Sequence, residues 1–151
     1  MSLNRSNRFA SRRTAVGFTL VEVIIVVLII SVLAAIAYPA YQDSVVKSRR
    51  SAAKACVMEA TQFMERFFTT NNLRYDRDAA NNPVVLPPCA AGTDVTNHYN
   101  VALTAVGARN YTLTATPLGL QSVKDVQCGV LSINNVGVKT KTGTQSVDYC
   151  W

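Results

Sequence analysis

Hydrophobic and polar positions divide the chain into three unlike stretches. The first is polar, carries Arg5, Arg8, Arg12 and Arg13 with no acid, and ends at Gly17. The second runs from Phe18 to Ala37, 20 apolar-rich residues whose only charge is Glu22. As a helix this stretch spans roughly 30 Å, the hydrocarbon thickness of a bilayer, so it is long enough to cross a membrane. In the third, Ala53, Cys56, Val57, Ala60, Phe63, Met64 and Phe67 recur at steps of three and four, the mark of one apolar helical stripe. Arg50, Lys54, Glu59, Glu65 and Arg66 lie opposite.

These patterns predict a single helix from Phe18 to about Thr70, roughly 80 Å at 1.5 Å per residue. It is a membrane anchor first and a core-packing helix second. Pro39 predicts a kink or local melting, because proline removes one helical bond and clashes with the preceding turn. The helix should end near Asn71-Asn72. Residues 72 to 96, with Asp76, Asp78, Asn81-Asn82-Pro83 and Pro87-Pro88, predict a long loop. Alternating residues then predict one hairpin from His98–Leu103 and Asn110–Thr116, turning near Gly107, and a second from Val130–Ile133 and Val136–Lys139 around Asn134-Asn135. The fold class is α+β, a long N-terminal helix whose C-terminal half packs on a four-stranded antiparallel sheet.

Glu22 is the anomaly of the apolar run, since a carboxylate at the bilayer centre costs about 2.5 to 3.5 kcal/mol. If the chain is cut between Gly17 and Phe18, the new α-amino group lies one helical turn from Glu22 and supplies a cation. The first turn also faces the positive end of the helix dipole. The alternative is an uncut anchor in which Glu22 reaches toward headgroups. A different cut, after the small residues of Ala35-Ile36-Ala37, would release a soluble secreted domain starting at Tyr38. An acid inside the apolar region and its length both argue against that cut.

The residues Gly17-Phe18-Thr19-Leu20-Val21-Glu22, followed by the apolar run and Pro39, resemble the processing signal of type IV pilins. The resemblance implies a leader over 1–17, cleavage by a prepilin peptidase between Gly17 and Phe18, and methylation of the Phe18 amine. It further implies that Glu22 pairs with the amine of a neighbouring subunit during assembly. The expected organisation is leader 1–17, a transmembrane and assembly half of the helix over 18–40, and a globular head over 41–151.

Charge and cysteines take their meaning from this arrangement. The chain carries +6, but removing the four leader arginines leaves 11 Lys and Arg against 9 Asp and Glu, a side-chain sum of +2. Much of the basic character therefore serves orientation, keeping the N-terminus cytoplasmic. Cys56, Cys89, Cys128 and Cys150 all follow the apolar run without close pairs, which reads as two disulfides outside the cytoplasm, with three connectivities open. The pilin resemblance implies a C-terminal disulfide loop, Cys128 with Cys150, which leaves Cys56 for Cys89.

Nothing suggests catalysis, a metal or a cofactor. His98 is the single histidine and reads as a surface or packing residue. Asp76, Asp78, Asp94 and Asp125 form no calcium-loop pattern. Asn110-Tyr111-Thr112 fits a glycosylation triplet but reads as strand. Lys47, Arg49, Arg50 and Lys54 read as a solvated collar near headgroups, with contact to nucleic acid phosphates as the sharper reading.

The chain is thus expected to be a non-enzymatic type IV pilus subunit, similar to minor pilins in its tail from Cys128 to Ile133, at Gly137-Val138-Lys139-Thr140 and at Cys150-Trp151. A major pilin, a type II secretion pseudopilin and a pilus-borne DNA receptor or adhesin are the alternatives. Expected partners are other pilin subunits, the inner membrane, the prepilin peptidase and the pilus assembly platform. The expected location is the inner membrane with the head in the periplasm, then the extracellular pilus, serving motility, adhesion or DNA uptake.

Overall fold

The computed structural model describes residues 17–89 and 92–151. The leader from Met1 to Val16, with Arg5, Arg8, Arg12 and Arg13, lies outside the described residues. Contacts divide the chain between Pro39 and Ala40 into two compact units.

Helix α1, Leu20–Thr70, contributes to both units. Its assignment is continuous through Pro39, so the local melting expected there is absent. The part preceding Pro39 is exposed all round, every large apolar side chain from Leu20 to Ile36 included. It is the one helical stretch among the described residues that is long and apolar enough to cross a membrane.

The unit from Ala40 to Trp151 has its own core. Beyond α1 it holds α2 (Gly92–Thr96), β1 (Tyr99–Val106), β2 (Tyr111–Pro117), α3 (Gly119–Lys124), β3 (Leu131–Asn134), β4 (Lys139–Lys141) and α4 (Val147–Cys150). The strands form one antiparallel meander in the order β1-β2-β3-β4. Strand β2 sits inside it and alternates as a half-buried strand should. Tyr111, Leu113 and Ala115 face the core, and Thr112, Thr114 and Thr116 the other side. Ala53, Cys56, Val57, Ala60 and Met64 of α1 share one buried cluster with them and with Leu131 and Ile133 of β3. Every buried side chain among the described residues lies at Val46 or beyond. Residues 40–151 therefore carry what is needed to fold alone.

The long segment after α1 is tied down at several points. Tyr75 donates its amide to the Ala108 carbonyl at 3.1 Å, stacks on Phe68 and meets Tyr111 edge-on. Asp78 caps its own turn, with one oxygen accepting from the Ala80 and Asn82 amides at 2.9 and 2.8 Å. Disulfides join Cys56 to Cys89 and Cys128 to Cys150.

Several expectations need correction. Residues 92–96 of the expected loop form α2. Val136 and Val138, read as strand, belong to a turn, and β4 starts at Lys139. In that turn Asn134 Oδ1 accepts from the amides of both valines at 3.2 and 2.9 Å, and Gly137 takes a φ of +80°. Helices α3 and α4 were not expected.

Candidate functional site

Three places in the chain carry chemistry, and the first is the start of α1. Gly17, Phe18 and Thr19 precede the helix. Thr19 stands at the N-cap position and its Oγ1 accepts from the Glu22 amide at 3.2 Å. Thr19-Leu20-Val21-Glu22 is therefore a threonine with a glutamate three residues on, the sequence form of a capping box. Thr19 was missed as a contributor, although that spacing was visible. Glu22 lies in the first turn, where four backbone amides lack helical partners and the dipole is positive. Phe18, 83% exposed, lines a shallow cleft with Glu22, Val23, Val26 and Val27.

The second place is a polar network buried between α1 and the sheet. Arg50 donates Nη1 to Asp125 Oδ1, and the Tyr99 hydroxyl donates to Asp125 Oδ2. Gln121 Nε2 donates to the Val46 carbonyl and to the Tyr99 oxygen, both at 3.1 Å. Arg50, Gln121 and Asp125 are all buried. Burial first, and then the Asp125 carboxylate, push the Tyr99 hydroxyl above the usual tyrosine range. A second carboxylate acts alike: Glu65 accepts from Tyr111 at 3.0 Å and from Tyr75 at 3.1 Å. Tyr111 is raised by burial and then by Glu65.

This network corrects the reading of the basic collar. Lys47 is exposed and Arg49 half-buried, but Arg50 is inside, neutralised by Asp125. It presents no free cation to a phosphate. Lys54 is also engaged, donating Nζ to the Trp151 carbonyl at 3.0 Å. Glu65, placed opposite the apolar stripe by the helical pattern, is exposed as expected, and its carboxylate also accepts from the two tyrosines.

The third place assembles what no single segment contains. Lys54 of α1, Lys139 of β4, and Tyr149 and Trp151 at the C-terminal end come together. The Lys139 ammonium lies 5.3 Å from the Trp151 ring centre and the Arg50 guanidinium 5.2 Å from that of Tyr149. Trp151 is fixed by its indole N–H, which donates to the Thr140 carbonyl at 2.9 Å. Partial burial, and then the Arg50 and Lys139 charges, lower the Lys54 pKa. Cations and aromatics from separate segments are thus brought side by side by the fold.

Other candidates stay apart. His98 Nε2 lies 4.0 Å from Asp94 Oδ1, and among the described residues no group of His, Cys, Asp and Glu could hold a metal.

Residues 39–132 match the family described as type IV minor pilin ComP, DNA uptake sequence receptor. Residues 17–38 match the prokaryotic N-terminal methylation motif. The chain is 62% identical over 37 residues to the fimbrial protein EcpC of Eikenella corrodens, covering 24% of each. It is 34% identical over 95 residues to the type IV major fimbrial protein FimA of Dichelobacter nodosus, covering 53% of this chain and 61% of FimA. The chain thus spans less than two thirds of these relatives. Among solved structures, the Neisseria meningitidis non-core minor pilin PilV is 23% identical with a TM-score of 0.46, covering 69% of this chain and 94% of PilV. A type IV pilin from Shewanella oneidensis is 24% identical with a TM-score of 0.39, covering 66% and 94%.

Proposed function

The chain belongs to the type IV minor pilin family ComP, and from that premise we propose that it is a membrane-anchored subunit cut after Gly17, methylated at Phe18 and carried into a pilus by the first half of α1. The observation that carries the reading is the junction itself. The methylation motif covers 17–38, and among the described residues the large apolar side chains within it are exposed and the helix is apolar enough to cross a membrane. In the membrane, lipid surrounds that half. In a filament, the same half of neighbouring pilins replaces lipid.

Glu22 then selects the docked position. A carboxylate moved into an apolar bundle is strongly penalised unless a cation meets it. The Phe18 amine of a neighbouring subunit, exposed by the cut, is that cation. Thr19 Oγ1 accepts from the Glu22 amide and so holds Glu22 in the first turn of the helix.

The test expresses Glu22→Ala beside wild-type subunits. Mass spectrometry should find a normal mature N-terminus starting at methylated Phe18, while the variant fails to enter sheared pili. A mature chain starting at Tyr38, or normal entry of the variant, overturns the reading.

A second reading is favoured by the third site. The matched family is described as a DNA uptake sequence receptor, and the cluster of Lys54, Lys139, Tyr149 and Trp151 offers cations beside aromatic faces. We place DNA phosphates against Lys139, with Trp151 beside them as a stacking face. The head of residues 40–151 should bind duplex DNA with a strong salt dependence, and Lys139→Ala should flatten the salt slope by about 1. No binding at low salt refutes this reading and leaves the pilus reading intact.

A further inference from the structure

Helix α3 is built inside out. Gln121 and Asp125, four positions apart, point into the core at 1% exposure each. Leu120, Val123 and Val126, at steps of three, stand 75%, 69% and 62% exposed. Burial free energy orders residue types the other way, with leucine and valine inside and glutamine and aspartate outside. Single exposed apolar side chains are ordinary, but Leu120 and Val123, three apart, share one face of α3, and Val126 follows in the turn just after it. The inner polar pair is spent on the Arg50 and Tyr99 network. The outer apolar face has no such use within the head.

The place of α3 indicates what covers that face. Lys124 Nζ donates to Gln42 Oε1 at 2.7 Å, and Gln121 holds the Val46 carbonyl. Helix α3 therefore lies beside residues 42–46, the first turns of α1 within the head. That is where the head's part of α1 begins, directly following the apolar half in sequence. Residues 23–37 of that half carry no charge over 15 positions. An uncharged apolar helix complements a face of leucine and valine, whereas a DNA backbone would set phosphates against it.

We propose that Leu120, Val123 and Val126 form a subunit interface on the head that receives the apolar first half of α1 from a neighbouring pilin. The proposal rests on the filament reading above. It adds a head-borne contact to assembly through the N-terminal helix, and it gives the incoming helix a partner besides other helices of its kind.

The experiment uses the full chain expressed with its fellow pilins. A benzophenone amino acid in place of Leu120 or Val123, irradiated in sheared pili, should attach to a peptide from the apolar helix of another pilin. The double variant Leu120→Asn, Val123→Asn should keep its membrane level and the melting temperature of its 40–151 head, yet fall roughly tenfold in sheared pili. Leu120→Met with Val123→Ile should enter normally. Normal entry of the asparagine variant overturns the proposal. So does photolabelling of phospholipid alone, which would make the face a bilayer contact, or a lowered melting temperature, which would make it structural. Absence of the wild-type chain from sheared pili would instead overturn the filament reading itself, and this interface with it.

Discussion

Replacing Asp125 with alanine tests the central claim about the head. Asp125 is 75 positions from Arg50 in sequence and accepts from both Arg50 and Tyr99. Its removal strands a guanidinium in a site where Arg50 is 6% exposed, over the Tyr149 ring. Breaking a buried pair from one side costs about 3 to 5 kcal/mol. Against a typical stability of about 5 to 15 kcal/mol, that is roughly a fifth of the total or more. At about 4 °C per kcal/mol for a domain of this size, the melting temperature should fall by roughly 12 to 20 °C. The assay is thermal unfolding of residues 40–151, followed by circular dichroism at neutral pH. Arg50→Met paired with Asp125→Leu should recover much of the loss, because replacing both partners leaves no charge behind. A fall below about 1 kcal/mol for Asp125→Ala would refute the reasoning, since that is the size of an exposed pair.

Two further outcomes concern the same head. A methyl group on Gly143 would overlap the Gln127 carbonyl, where the Gly143 amide already bonds the Cys128 carbonyl at 2.9 Å. Gly143→Ala should destabilise the head by about 1 to 3 kcal/mol, and an unchanged melt would refute that close approach. Tyr99 and Tyr111 have hydroxyls raised above their ordinary 10.0 by burial and carboxylate neighbours. The folded head keeps those protons after the unfolded chain has lost them, so stability is full below pH 10 and declines above it. Lys54, lowered by partial burial, works the other way with a smaller share. Melts from pH 9 to 11 should show a falling midpoint that Tyr99→Phe makes shallower; a flat profile refutes the assignment.

The sequence reveals those elements whose burial is decided by near neighbours. The stripe from Ala53 to Met64 is legible because one face of a helix meets one sheet, which leaves a period near 3.6. The β2 strand is legible for the same reason at period two. Arg50 is not, because its partner comes from far along the chain and the local pattern sees only a charge among charges. Helix α3 escapes for the opposite cause, since its inward face is polar and its outward face apolar. Val136 and Val138 mimic a strand by composition, while the turn is made by the Asn134 side chain and a left-handed Gly137. At the N-terminus the order is reversed. The signal there is entirely local: the methylation motif matched over residues 17–38 is readable without any fold.

Because the described core starts at Val46, selection acts on this chain through two separate filters. A substitution at Leu113 is judged first by proteases and chaperones, which see the unfolded fraction it creates. A substitution at Val27 changes no buried side chain of its own molecule, so only the company it keeps can judge it. The head is therefore at liberty to diverge one residue at a time, each change answerable to its own stability. On the filament reading proposed above, the apolar half is held in common with every subunit it must sit beside, and it drifts only as fast as that whole community allows.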